Sequence, residues 1–335
     1  MATAPFSRRP AIVPAAALAD DAATLDAVCR VLDAGDLVAV PTETVYGLAA
    51  DATNPAAVAG IYKAKGRPAF NPLIVHEGTV EAAMRHGVFD ARARLLAEAF
   101  WPGPLTLVVA KRPDAALAPA VTAGLDTVAI RVPRSDAVRL ITARLGRPVA
   151  APSANRSGRV SPTSAEDVVT ELGEAVAVVI DGGPCVVGVE STIVGLSGSH
   201  AVLLRPGGLA ADAIEAVIGE PLVRPSADPA RPQAPGQLAS HYAPRAAVRL
   251  DATNVRAGEA LLAFGSQLPA DADNAVATCN LSPSGDVSEA ARNLFSMLRK
   301  LDASGAAGIA VVPLPQGGLG EALADRLARA AAPRP

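Results

Sequence analysis

The sequence predicts an α/β protein with α+β character, built on a twisted mixed sheet with flanking helices. Helix-period apolar stretches alternate with short apolar runs from Thr24 to Ile218, and several of those runs follow one another with no helix between, which requires antiparallel or mixed pairing. Size agrees: 335 residues, half hydrophobic and 19% charged, are enough for two domains with real cores.

In chain order, Leu25, Val28, Cys29 and Leu32 share one helical face; Gly35 stops that helix and Leu37–Val40 is a buried strand. Helices are predicted at 56–65, 91–100, 135–145, 164–172 and 211–218, and strands at 73–75, 105–110, 128–132, 149–150, 177–181, 191–196 and 201–204. Between Pro221 and Arg245 six prolines and no periodicity read as an extended linker. Beyond it, strands at 260–264, 275–279 and 309–312 and helices at 287–302 and 321–331 suggest a small Rossmann-like α/β domain. The predicted division is a catalytic domain at 1–220, a Pro-rich linker at 221–245 and a C-terminal domain at 246–335.

Composition narrows the chemistry. The net charge of −3 excludes a polycation that binds nucleic acid in bulk, so any RNA contact must be local. Cys29, Cys185 and Cys279 are too few and too scattered for a disulfide framework or a CxxC zinc site, and a reducing cytoplasm is expected. No apolar run reaches the ~18–20 residues a membrane span needs. Arg8 and Arg9 precede an alanine-rich stretch in the manner of a secretory leader, but Pro10 and Pro14 interrupt it and Asp20 and Asp21 follow, so none is expected.

Polar clusters fall at the ends of predicted strands, the edge where open α/β sheets bind ligands. Thr42, Glu43, Thr44, Tyr46 and Gly47 follow the first strand, with the two threonines expected on opposite faces and Gly47 free to approach a ligand or turn; a plain polar loop is the alternative. Lys63, Lys65 and Arg67 put three cations in five residues, with Gly66 leaving room for phosphates and His76 ending the next strand. A solvated basic helix end is the competing reading. Arg131 lies in an apolar strand and needs an anion, either a substrate carboxylate or an internal acid such as Glu43. The loop from Ala151 to Thr163 is rich in hydroxyls, amides and arginines, although 161–163 can equally cap the next helix. HExxH, GxSxG, GxGxxG and Walker motifs are absent and the four histidines are scattered, which favours positioning and charge stabilisation over covalent or metal-ligated chemistry.

Seven strings, PTETVYGL, KAKGRPxxNPLIVH, WPGPLTLV, VAIRVP, APSANRSGRVSPT, VESTIV and LLRPGG, run in order from Leu37 to Gly208 and resemble the threonylcarbamoyl-AMP synthases of tRNA modification in their long form. The linker's Ala234-Pro235-Gly236 and His241-Tyr242-Ala243-Pro244 are similar too, with Gln237 and Leu238 where the family often has methionine then lysine. The resemblance implies synthesis of L-threonylcarbamoyladenylate from L-threonine, bicarbonate and ATP in the cytoplasm, with Mg²⁺ accompanying ATP, no prosthetic group and no protein-bound metal. A downstream threonylcarbamoyl transferase complex would be its partner. It further implies that Thr44, His76, Arg131 and Ser191 surround threonine and that Arg67, Asn71, Thr127, Ser153, Asn155, Ser161, Arg205 and Tyr242 hold ATP. Lys63, Lys65 and Arg67 would then supply catalytic charge. The competing readings are an RNA-binding module making a local tRNA contact without turnover, against which the scarcity of aromatics weighs, and a carbamoyltransferase-type domain, against which the absence of zinc-finger cysteines weighs. The second domain and linker, with Tyr242 on a proline-stiffened tether, are expected to gate the pocket.

Overall fold

The structure, a computed structural model, describes residues 9–224, 234–235 and 240–334. The chain opens with β1 (Ala11–Pro14), α1 (Ala17–Asp20) and α2 (Ala22–Asp33), whose cap Asp21 accepts from the amides of Ala23 and Thr24. A near-hairpin follows, β2 (Val38–Val40) and β3 (Gly47–Asp51), then α3 (Pro55–Lys65), started by an Asn54 cap with Pro55 in its first turn. Next come β4 (Ile74–His76), α4 (Val80–Ala83), α5 (Ala91–Phe100), β5 (Leu105–Ala110), β6 (Thr127–Arg131), α6 (Asp136–Leu145) and β7 (Val149–Ala150). The unit ends with α7 (Ala165–Leu172), β8 (Val178–Asp181), β9 (Thr192–Gly195), β10 (Val202–Arg205) and α8 (Ala211–Ile218).

Among the described residues these strands make one ten-stranded sheet in the order β1-β8-β2-β3-β7-β4-β6-β5-β9-β10. It is mixed: β4 runs parallel to β6 and β5 to β9, whereas β3–β7, β4–β7 and β5–β6 are antiparallel. Leu48, Ile61, Leu73, Leu96, Leu105 and Leu107 are fully buried in its main core.

Three short strands escape the sequence reading. The leader-like stretch is β1, paired parallel to β8; the start of the supposed loop after β2 continues into β3; and β11 (Ala247–Arg249) is half exposed and carries no pattern. The strand expected at 275–279 is β13 (Thr278–Asn280), because residues 272–274 form a 3-10 turn. Of the expected linker, residues 225–233 and 236–239, including Gln237 and Leu238, lie outside the described residues. Val223 still bridges to Val202 at the sheet's edge, and Ala243 donates its amide to Gly158 O.

The C-terminal unit adds β12 (Glu259–Ala263), α9 (Val287–Asp302), β14 (Gly308–Val311) and α10 (Leu319–Ala331), with an all-parallel sheet ordered β11-β14-β12-β13. Its core does not stop at its own boundary. Val45, Val160 and Val189, from three loops of the first unit, join Leu294, Phe295, Leu298, Leu323 and Leu327 in one apolar cluster. Arg299 on α9 adds an ion pair to Glu171 on α7 at 3.0 Å. The three cysteines are free and buried, and no helix among the described residues is long and apolar enough to cross a membrane.

Candidate active site

A small, partly open cavity of about 40 Å³ lies where these loops meet, lined by Thr44, Arg67, His76, Arg131, Ser153, Glu190, Ser191, Arg205 and Tyr242 with Pro235 and His241. It draws on the carboxyl ends of β4 and β6, the turns after β2, α3 and β7, the approach to β9, the end of β10 and the segment before β11. Eight of the residues named from sequence therefore meet in one place.

Arg131 closes one flank. Its Nε donates to Gly103 O at 3.1 Å and its Nη1 to Thr44 Oγ1 at 2.9 Å, while Nη2 lies 2.8 Å from Glu43 Oε1. Of the two anions the sequence left open for this arginine, the internal one, Glu43, is the one observed. The contact is Coulombic rather than a good hydrogen bond, since Nη2 and both Glu43 oxygens lack a partner of proper geometry. Thr42 and Thr44 do not point to opposite faces as expected, since positions two apart share a face even on a strand, and here their hydroxyls meet. The chain leaves its strand at Pro41 and turns, so the Thr42 hydroxyl accepts the amides of Thr44 and Val45 and shares a 2.8 Å hydrogen bond with the Thr44 hydroxyl.

His76 Nδ1 lies 3.1 Å from Ile74 O, and since a carbonyl only accepts, Nδ1 carries the proton and Nε2 is left as an acceptor. Burial, and next the Arg131 charge, push this imidazole down to about 3, so it is neutral. Ser191 Oγ shares a hydrogen bond with Thr106 and receives one from Arg205, whose guanidinium also holds Ser191 O at 2.8 Å and Pro235 O at 3.3 Å. Arg67 donates to the carbonyls of Asn71 and Pro72. Burial pushes Arg67 down to about 10 and Arg205 down as well.

The three-cation segment divides. Lys65 is buried and donates to Ser153 O and Asn155 O, each at 2.5 Å, with burial and then Arg67 pushing its ammonium well down. Lys63 is exposed and lines a separate hollow with Arg9 and Arg156, so the two lysines expected to add charge for the triphosphate are not brought together: residues two apart on a helix point to different sides. Gly66 sits at φ +60° with open space where a Cβ would be. It ends α3 in the left-handed conformation. Gly47 opens β3 rather than turning the chain, and a Cβ there would lie 3.2 Å from that of Ala151, just after β7.

Thr127 lies at the far end of β6 from Arg131 and does not line the cavity. Asn71 and Asn155 are buried beside it. Ser164, not 161–163, caps α7, and the Ser161 hydroxyl is hydrogen-bonded to Glu190 Oε1 instead. Glu190, His241 and Pro235 are cavity residues that the sequence reading quoted without assigning. Tyr242 is buried at φ +60°, against His241 at 4.1 Å and stacked on Phe295 at 5.7 Å. A non-glycine residue in that conformation is held there by its surroundings.

Most of the buried side-chain atoms without a hydrogen-bond partner among the described residues collect at or beside this cavity: both Glu43 oxygens, Arg131 Nη2, the Asn71 amide, Asn155 Oδ1, His241 Nδ1 and Tyr242 OH. Native proteins rarely leave such groups unmade, and a polar ligand is what satisfies a cluster of them.

Residues 30–207 match the family model described as Telomere recombination, and residues 209–332 the one described as Threonylcarbamoyl-AMP synthase, C-terminal domain. The threonylcarbamoyl-AMP synthase of Pyrococcus abyssi is 42% identical over 312 residues, covering 88% of this chain and 90% of its own. The chain belongs to the threonylcarbamoyl-AMP synthase family. A Bacillus subtilis family member is 49% identical over 214 residues, 63% of this chain and 62% of its own. A crystal structure of P. abyssi Sua5 complexed with L-threonine superposes with a TM-score of 0.83 at 38% identity, covering 92% of this chain and 94% of that one. The family's mixed α/β architecture is thus the one seen here.

Proposed function

We propose that the chain makes L-threonylcarbamoyladenylate from L-threonine, bicarbonate and ATP with release of pyrophosphate, the first step in forming threonylcarbamoyladenosine in tRNAs that read codons beginning with A. The observation that carries this reading is a cavity combining three arginines, a neutral histidine acceptor and unpartnered polar atoms, in a chain similar over most of its length to a synthase whose relative binds threonine. Arg131 would take the threonine carboxylate on its Nη2 in exchange for Glu43, with Thr44 and Ser191 alongside, and His76 Nε2 would accept from the threonine hydroxyl. Arg67, Arg205, Lys65, Asn71, Ser153, Asn155, Ser161 and Tyr242 would serve the nucleotide, while Lys63, in the separate hollow, and Thr127, at the far end of β6, would act only from outside the cavity.

Chemically, the threonine amine and bicarbonate give a carbamate with loss of water. A carbamate oxygen attacks the α-phosphorus of ATP, and the bond to the bridging oxygen breaks to free pyrophosphate. The chain's part is to hold two anions together, exclude water from the labile carbamate and neutralise the leaving group. Mg²⁺ enters with ATP, held by phosphates and water; among the described residues no group of three or more His, Cys, Asp or Glu is arranged to hold a metal. Because about 40 Å³ holds only a few waters, ATP entry requires the wall made by Pro235, His241 and Tyr242 to move. The division into residues 1–220, 221–245 and 246–335 is part of this reading, supported by the two separate sheets. The product passes to a transferase complex, in a cytoplasmic setting suited to three free cysteines.

A local tRNA contact has one supporting observation, the open hollow of about 860 Å³ bearing Arg9, Lys63 and Arg156, but Asp36 and Glu174 share its lining and synthesis is favoured. The test is pyrophosphate release from ATP with threonine and bicarbonate each supplied or omitted. Release that needs both is expected. Release indifferent to threonine, or no release with tRNA binding intact, overturns the reading.

A further inference from the structure

Helix α10 carries Ala322, Leu323, Leu327 and Ala330 on its buried face, and Arg326 interrupts that apolar stripe with no exposure at all. A guanidinium in such a place needs an anion, and the anion comes from the other unit. Arg326 Nε donates to Glu190 Oε2 at 2.7 Å, and Nη1 donates to Asp325 at 2.5 Å. The guanidinium carbon lies 4.9 Å from the centre of the Tyr242 ring. Glu190 is filled from both sides, since its other oxygen accepts from Ser161.

Glu190 is also a wall of the cavity, beside Arg67, Arg131 and Arg205. A bare carboxylate there would oppose a triphosphate and withdraw charge from the arginines. We infer that Arg326 is a positioning residue for nucleotide binding: by neutralising and fixing Glu190, and by backing Tyr242, it makes the cavity's affinity for a nucleoside triphosphate depend on the docked C-terminal unit. The inference rests on the synthase reading for the identity of the ligand. The surrounding charges act in the same sense. Although burial works against each charge, Glu190 and Asp325 hold the Arg326 guanidinium up, and Arg326, Arg205 and Ser161 hold the Glu190 carboxyl below its ordinary range.

The docking that delivers Arg326 is built into the fold rather than incidental, because Val45, Val160 and Val189 beside the cavity belong to the C-terminal unit's own apolar core. The guanidinium is thus carried to Glu190 on a surface that the second unit buries for its stability.

The test is a charge cycle in the full chain: wild type, Arg326→Met, Glu190→Gln and the double variant. Each is measured for the ATP and threonine KM values of pyrophosphate release, equilibrium binding of ATP and thermal midpoint. Arg326→Met is expected to raise the ATP KM and the ATP dissociation constant about tenfold or more, with the threonine KM within twofold. The double variant, which has no carboxylate left to neutralise, is expected to return ATP binding to within about threefold of Glu190→Gln. Unchanged ATP binding in Arg326→Met overturns the inference. So does a parallel rise of both KM values that the second substitution fails to rescue, which is the signature of a purely structural role. If Arg326→Met does not fold, Arg326→Lys and the double variant decide. Lysine keeping ATP binding within threefold of wild type, and the double variant matching Glu190→Gln, sustain the inference, and failure of either ends it. A wild type with no ATP turnover or binding would instead overturn the synthase reading itself.

Discussion

Two arginine–carboxylate pairs flank the same cavity and are built to different standards. Arg326 and Glu190 are joined by a 2.7 Å hydrogen bond, with Ser161 on the other carboxylate oxygen and Asp325 on Arg326 Nη1, and only Arg326 Nη2 lacks a hydrogen bond. Arg131 and Glu43 are as close at 2.8 Å, yet the angle is poor and three of the atoms involved have no hydrogen bond. The first pair spans two units and has both carboxylate oxygens hydrogen-bonded, with one atom left without a partner. The second lies inside one unit and keeps a donor and two acceptors without hydrogen bonds, which the proposed exchange of Glu43 for a ligand's carboxylate needs. Burial and proximity alone do not tell such pairs apart; the hydrogen-bond geometry does.

The largest effect expected from that contrast is on catalysis. Arg131→Ala should lower threonine-dependent pyrophosphate release about 100-fold or more, because it removes a buried charged donor from the substrate. An activity within tenfold of wild type would put the two pairs in one class. Next comes pH. An unfolded chain protonates His76 and His241 as pH falls through about 6.5, whereas burial, helped in His76 by Arg131, delays this to about 3 in the fold. Stability is therefore full above about 6.5 and falls toward acid, by about 1.4 kcal/mol per pH unit for each imidazole. A urea-midpoint titration between pH 6.5 and 4.5, above the carboxylate range, should show this slope, and His76→Asn should remove about half of it. A flat profile would mean that the imidazoles flanking both pairs are accessible to protons. The smallest effect concerns the loose pair alone. Glu43→Gln should lower the threonine KM roughly three- to tenfold by removing the competing carboxylate. A higher KM would identify Glu43 as the group that aims Arg131.

Much of this was legible in the chain and some of it was not, for definable reasons. Helices α5, α8 and α9 and strand β5 have the predicted bounds because each is a full apolar period with a clear start and stop. Strand β3 was hidden in Gly47–Asp51, small buried residues with no alternation, and β1 in a stretch whose prolines argued against any regular element. The cavity's donors could be named because they cluster in strings at strand ends. Which lysine faces inward could not, since it depends on the phase of α3. Arg326 did leave a signal, a charge at helical spacing among Ala322, Leu323, Leu327 and Ala330, but its partner could not be named because Glu190 lies far away in the chain.

The distance along the chain between Glu190 and Arg326 has a consequence for biosynthesis. They are 136 positions apart. At roughly 5–20 residues per second, the ribosome adds the arginine about 7–27 s after the glutamate. The large mixed sheet, complete by β10, can fold in that interval with its acidic wall residue still uncompensated. The active site is therefore the last part of the molecule to be finished, and a chain truncated before α10 would emerge with its first core intact and its cavity electrically incomplete.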